Sequence, residues 1–134
     1  MTIDDIRTTI QAGGEECVCY DLTDTGLLLS PQGWQPSLVR PDIAIYCEEP
    51  PAVDYALELV PAAVIEVVSP DSVVKDLEEL PPAYLRAGVR DVIVFVLATG
   101  EIVWFDQDTG SANPRRLLAP QAMTLRCGCT LTIA

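Results

Sequence analysis

The sequence predicts an α/β fold, with a central mixed β-sheet flanked by an N-terminal helix and by a broken helix that follows the strand carrying Glu66. Three observations lead there. Residues 62–68, AAVIEVV, form an apolar run of strand length interrupted by one carboxylate, and residues 92–97, VIVFVL, form a second with no interruption. Continuous runs of this kind belong to strands buried on both faces. Between them lies a polar-faced stretch in which Asp71 and Ser72 offer capping oxygens and Gly88 offers a stop, so it reads as a helical crossover.

The first element expected is a helix opened by Thr2, with Asp5 three residues on as in a capping box and with Ile3, Ile6 and Ile10 on one face. Gly13-Gly14 would end it. Residues 17–22 then alternate as a strand does, Asp24-Thr25-Gly26 makes a turn, and the apolar run 27–29 is the expected hairpin partner. Pro31, Gly33 and Pro36 mark a loop. Residues 39–47 form the next expected strand, with Asp42 at its entrance, and Glu48-Glu49-Pro50-Pro51 breaks the chain after it. Residues 54–60 fit either a short helix or an irregular connection.

Beyond the Glu66 strand, a first helical piece is expected over 73–79. Pro81-Pro82 interrupts it, and a second piece runs to Ala87. The strand over 92–97 then turns at Thr99-Gly100 into a hairpin partner at 102–105, which brings Trp104 and Phe105 near an edge as a hydrophobic partner surface. A short edge strand over 115–118 and a closing strand over 125–133, in one or two pieces, complete the sheet. With 134 residues and no repeat, the chain is read as a single domain, 1–134, able to bury about two thirds of its unfolded surface.

Composition limits the partners. The longest apolar run is too short to span a bilayer, and the acidic start, Met1 to Asp5, lacks the basic-then-apolar order of a secretory signal. A cytoplasmic location without membrane attachment is therefore expected. The chain holds 20 acidic and 8 basic residues and no histidine, for a net charge of −12. Such a surface weighs against DNA, whose non-specific binding comes mainly from lysine and arginine displacing counterions. Local basic pairs remain as contacts, Arg115 with Arg116 or Arg86 with Arg90, because screening confines charge effects to about 8–10 Å.

Glu66 and Asp42 are the residues that point to chemistry. A carboxylate inside an apolar strand must be paired, protonated or bound to a cation, unless the strand is only half buried there and the acid meets solvent or an arginine. Two strands that each offer one acid can converge on one cation. With Arg40-Pro41-Asp42, the run Glu66-Val67-Val68-Ser69-Pro70 and the helix end Tyr84-Leu85-Arg86-Ala87-Gly88-Val89, the chain resembles the Uma2 family of the PD-(D/E)xK, restriction-endonuclease-like superfamily over about residues 38–106.

That resemblance implies hydrolysis of a phosphodiester by a Mg²⁺- or Mn²⁺-dependent endonuclease, with Asp42, Glu66 and the backbone carbonyl of Val67 as metal ligands. Hard oxygen ligands suit such an ion. The family pattern D-x-x-x-K-L-P-x-Y-x-R-A-G-V places Asp76 correctly but puts Leu80 where lysine belongs, and the simpler superfamily position, two residues after the glutamate, is Val68. Lys75 is the only lysine in the chain. It becomes the candidate third catalytic residue, although in a regular helix it would point about 140° away from position 80. Three readings stay open: a weak nuclease using Lys75, a nuclease fold that has lost catalysis and acts through protein contacts, and a structural domain whose acids merely sit at strand ends.

The five cysteines include two C-x-C pairs, Cys17 with Cys19 and Cys127 with Cys129. One residue between ligands is short for structural zinc, and an odd count does not suggest a disulfide framework, so ordinary thiols and no zinc are expected. A homodimer that covers sheet edges is the expected assembly.

Overall fold

A computed structural model describes residues 10–13, 20–23, 26–29, 37–47, 59–68 and 78–134. Within them the strands are β1 (Ile10–Gly13), β2 (Tyr20–Thr23), β3 (Leu27–Leu29), β4 (Ser37–Val39), β5 (Ile43–Tyr46), β6 (Ala63–Val68), β7 (Asp91–Val96), β8 (Glu101–Asp106), β9 (Gly110–Leu118), β10 (Gln121–Thr124) and β11 (Thr130–Ile133). The helix α1 (Leu80–Arg86) lies between β6 and β7. Six strands form the main sheet in the order β2-β5-β6-β7-β8-β9, in which β6 and β7 are parallel and the other neighbours antiparallel. It is the mixed α/β sheet expected, with the Glu66 strand at its centre.

Alternation along β5 and β6 divides the core into two layers. Ile43, Ile45, Ala63 and Ile65 join Ile93, Phe95, Ile102 and Trp104 on one face, covered by Met123, Leu125, Leu131 and Ile133. Ala44, Tyr46, Val64 and Val68 join Val92, Val94, Val96, Val103 and Phe105 on the other, covered by Tyr84 of α1 and by Val89. With period-two side chains, every residue of β6 and β7 must meet one of these layers, which is why both strands read as near-continuous apolar runs.

Prolines stand at the first positions of α1, where a missing N–H breaks no helical hydrogen bond, so the pair starts the helix rather than kinking it. Gly88, at φ 105°, ends it in a conformation that side chains resist. The chain then enters β7 while the Arg90 N–H donates to the Ala62 carbonyl at 3.1 Å.

Several expectations change. Residues 10–13 are a strand paired with β11, not the end of a helix, because cross-strand pairing outweighs the isoleucine spacing; the expected helix before them lies outside the described residues. β3 pairs with β4, not with β2. The expected strand 39–47 is split, since Pro41, which has no N–H to offer a ladder, separates β4 from β5. Residues 125–129 form the turn between β10 and β11, and these two strands join β1 in a separate three-stranded sheet. Trp104 and Phe105 are buried, because β9 extends from Gly110 and covers β8. They offer no partner surface.

Candidate metal site at the Glu66 strand

β5 and β6 pair with Ile43 opposite Ile65 and Ala44 opposite Val64. Carried one residue further, that register sets Asp42 opposite Glu66. Both follow the even-numbered alternation that faces the helix layer, and both are half-buried. An independent contact fixes the same relation: the Val67 N–H donates to Asp42 Oδ2 at 2.7 Å. The two main-chain groups of one strand residue lie on the same side, so the Val67 carbonyl also faces the Asp42 strand. Pro41 contributes by ending the ladder just before Asp42, which frees the carboxylate to turn back onto the β6 backbone.

Glu66 is held from the other side. The Tyr84 hydroxyl donates to Glu66 Oε1 at 2.7 Å, and Tyr84 itself is 1% exposed. Such a bond to a carboxylate is charge-assisted and stronger than a neutral pair. It engages one carboxylate oxygen, Oε1. Leu80 lies one helical turn before Tyr84, so the two side chains share a face of α1. Leu80 packs, half-buried, against the helix-side layer.

Asp42, Glu66 and Val67 are thus brought together. Lys75, Ser69 and Asp76 lie outside the described residues. Two carboxylates and a main-chain carbonyl are all-oxygen donors, which fits Mg²⁺ or Mn²⁺, ions that keep several waters and need few protein ligands. Among the described residues no group of three or more histidine, cysteine, aspartate or glutamate side chains could hold a metal. Cys129 is disulfide-bonded, while Cys47 and Cys127 are thiols. The expectation of ordinary thiols therefore fails at Cys129.

The basic residues proposed for DNA are partly committed elsewhere. Arg115 pairs with Asp106 at 2.6 Å and stacks over Trp104 at 3.6 Å, and Arg116 pairs with Glu101 at 2.6 Å. A second acidic cluster is structural. Fully buried Asp91 accepts hydrogen bonds from Trp104 Nε1 at 2.8 Å and from the Arg126 N–H at 2.9 Å. Asp106, its partner across β7 and β8, accepts from the Thr109 N–H at 2.9 Å and faces Arg115 and Arg126. Burial pushes the Asp106 carboxyl up, but the Thr109 hydrogen bonds and the two guanidinium charges outweigh it and hold the group below its ordinary value.

Two features of the site were not assigned from sequence. The hydroxyl of Tyr84 is aimed at Glu66 although the tyrosine entered only as part of a motif; its position in the crossover, four residues after Leu80, was the available signal. The Val67 N–H clamp on Asp42 depends on strand register, which no local pattern reveals.

The mixed sheet, with α1 in the crossover between its parallel central strands β6 and β7, has a nuclease-like fold. The chain belongs to the Uma2 family, whose model, described as a putative restriction endonuclease, matches residues 3–133. Among solved structures it is similar to one described as a putative nuclease belonging to DUF820 from Anabaena variabilis ATCC 29413, with a TM-score of 0.61 and 12% identity over 90% of this chain. The likeness is one of fold, and the chain spans 63% of the length of that protein. No curated protein matches the chain.

Proposed function

We propose that the protein is a Mg²⁺- or Mn²⁺-binding member of the nuclease fold in which phosphodiester cleavage of DNA is weak or lost because Leu80 replaces the family lysine. The observation that carries this reading is the hydrogen bond from the Val67 N–H to Asp42, which brings that acid to the residue next to Glu66, itself bound by the Tyr84 hydroxyl. A bound divalent ion supplies water activation and charge stabilisation at a phosphate. The chain's own part is to hold the ligands: Val67 fixes Asp42, Tyr84 fixes Glu66, and the apolar layers around β6 keep the strand from shifting. At position 80 the side chain offers packing and no charge. Loss of one preorganised charge commonly costs about 10² to 10³ in rate.

A catalytically silent role in binding another protein is the second reading. It is favoured by Leu80 and by the engagement of Arg115 and Arg116 with carboxylates, which leaves these arginines little to offer a phosphate backbone.

Cleavage of single- and double-stranded DNA with Mg²⁺ or Mn²⁺ tests the proposal in the native protein, Lys75→Ala, Leu80→Lys and Glu66→Ala. Position 80 shares the helix face of Tyr84, so Leu80→Lys is expected to raise cleavage by about 10-fold or more, and Glu66→Ala is expected to remove whatever is present. Robust native cleavage abolished by Lys75→Ala would overturn the degenerate-nuclease reading in favour of a migrated lysine.

A further inference from the structure

Away from the acids, where β5 ends and β6 begins, a cleft of about 400 Å³ is bordered by Tyr46, Cys47, Val60, Pro61, Ala62, Gly88 and Arg90. Its size falls within the range of small-molecule sites, about 300–1,000 Å³. Ala62 is four residues before Glu66, or about 13 Å along an extended strand, so the cleft is separate from the proposed metal site.

Arg90 and Tyr46 bring polar side chains to its lining. Arg115, Arg116 and Arg126 are bound to carboxylates, and Arg40 and Arg86 also have partners, whereas among the described residues the Arg90 guanidinium makes no hydrogen bond or ion pair. The Arg90 backbone is nevertheless fixed by its N–H bond to Ala62. Tyr46 is 2% exposed, and its hydroxyl has no hydrogen-bond partner among the described residues. No polar side-chain atom among the described residues is sealed from solvent without a partner, so this hydroxyl keeps some solvent contact, and Tyr46 lines the cleft. Burial also pushes the Tyr46 phenol up to about 12, which keeps it a neutral donor near neutral pH.

No carboxylate borders the cleft among the described residues, and Arg90 is its one charged side chain there. Val60, Pro61 and Ala62 add an apolar wall. We propose that this cleft binds a small organic oxyanion, a carboxylate or phosphate monoester on an apolar body, with Arg90 gripping the charge, Tyr46 donating one directional hydrogen bond and the 60–62 segment holding the body. Guanidinium recognition of a planar or tetrahedral oxyanion is bidentate and charge-assisted, which is why the anion and not the apolar part should dominate affinity.

Titration of the full chain with benzoate, phenyl phosphate, benzyl alcohol and inorganic phosphate, followed by amide chemical shifts, tests the site. Saturable binding of benzoate or phenyl phosphate is expected, with shifts at Cys47 and Gly88, and the better of the two identifies the oxyanion. Benzyl alcohol and inorganic phosphate should each bind more weakly, since each lacks one half of the recognition. Arg90→Gln, at an exposed position, should reduce affinity about tenfold and Tyr46→Phe several-fold, with melting temperatures unchanged for the former. Absence of saturation by both aromatic anions at concentrations on the order of 10 mM, or equal affinity in the native protein and Arg90→Gln, would overturn the proposal.

Discussion

The Tyr84 hydroxyl tests how much of the site depends on a single hydrogen bond. Tyr84→Phe keeps the ring in the core and removes the donor to Glu66, so a cost of about 1–2 kcal/mol is expected in urea unfolding. A change within about 0.3 kcal/mol would show that the bond does not hold the acid in solution. Asp106 gives a second test, by pH. Its folded-state value is depressed, so the stability it contributes is present above the unfolded carboxyl value near 4 and is lost as pH falls through the lower folded value. Urea midpoints measured from about pH 6 down to 2 should therefore fall through that acid window, and Asp106→Asn should be less stable at neutral pH with a flatter acid limb. The candidate Glu66 was legible because an acid breaking an apolar strand is rare, and Asp42 because it stands at the entrance of a second apolar segment. The Asp91 and Asp106 network was not, because each aspartate sits at a strand end, where an acid is ordinary.

At the scale of elements, β6, β7, β8 and the helix between β6 and β7 were legible because two apolar runs and a Pro-Pro start with a glycine stop leave few alternatives. β1 and the β10–β11 pair were not. β1 is four residues, IQAG, with no strand signature, and it exists through pairing with a segment more than 100 residues away. The helix stop itself can be measured. Among the described residues a Cβ at Gly88 would meet only Val60 Cγ1, at an ordinary 3.8 Å, so the cost of Gly88→Ala comes from its φ of 105°. A loss of about 1–2 kcal/mol is expected by thermal or urea unfolding. Near-native stability would mean that the turn between α1 and β7 adopts another conformation.

For the whole molecule, the net charge of −12 and the pairing of Arg115 and Arg116 set a low expectation for DNA affinity and a higher one for a protein partner. The six-stranded sheet ends in β9 on one side, and Pro114 within that strand discourages edge-to-edge pairing. A homodimer, if it forms, is therefore expected through another surface, and light scattering at micromolar concentration would report it. Among the described residues no helix is long and apolar enough to cross a membrane. The claim on which the functional proposal stands is that Asp42 and Glu66 share one divalent cation. Thermal melts with and without about 10 mM Mg²⁺ or Mn²⁺ test it most directly, because an ion bound only by the folded state must raise the melting temperature. With a dissociation constant of about 1 mM the native protein should gain about 1.4 kcal/mol, or roughly 3–5 °C, and Asp42→Ala should gain almost nothing. An equal response in the two proteins would contradict a metal site at these acids.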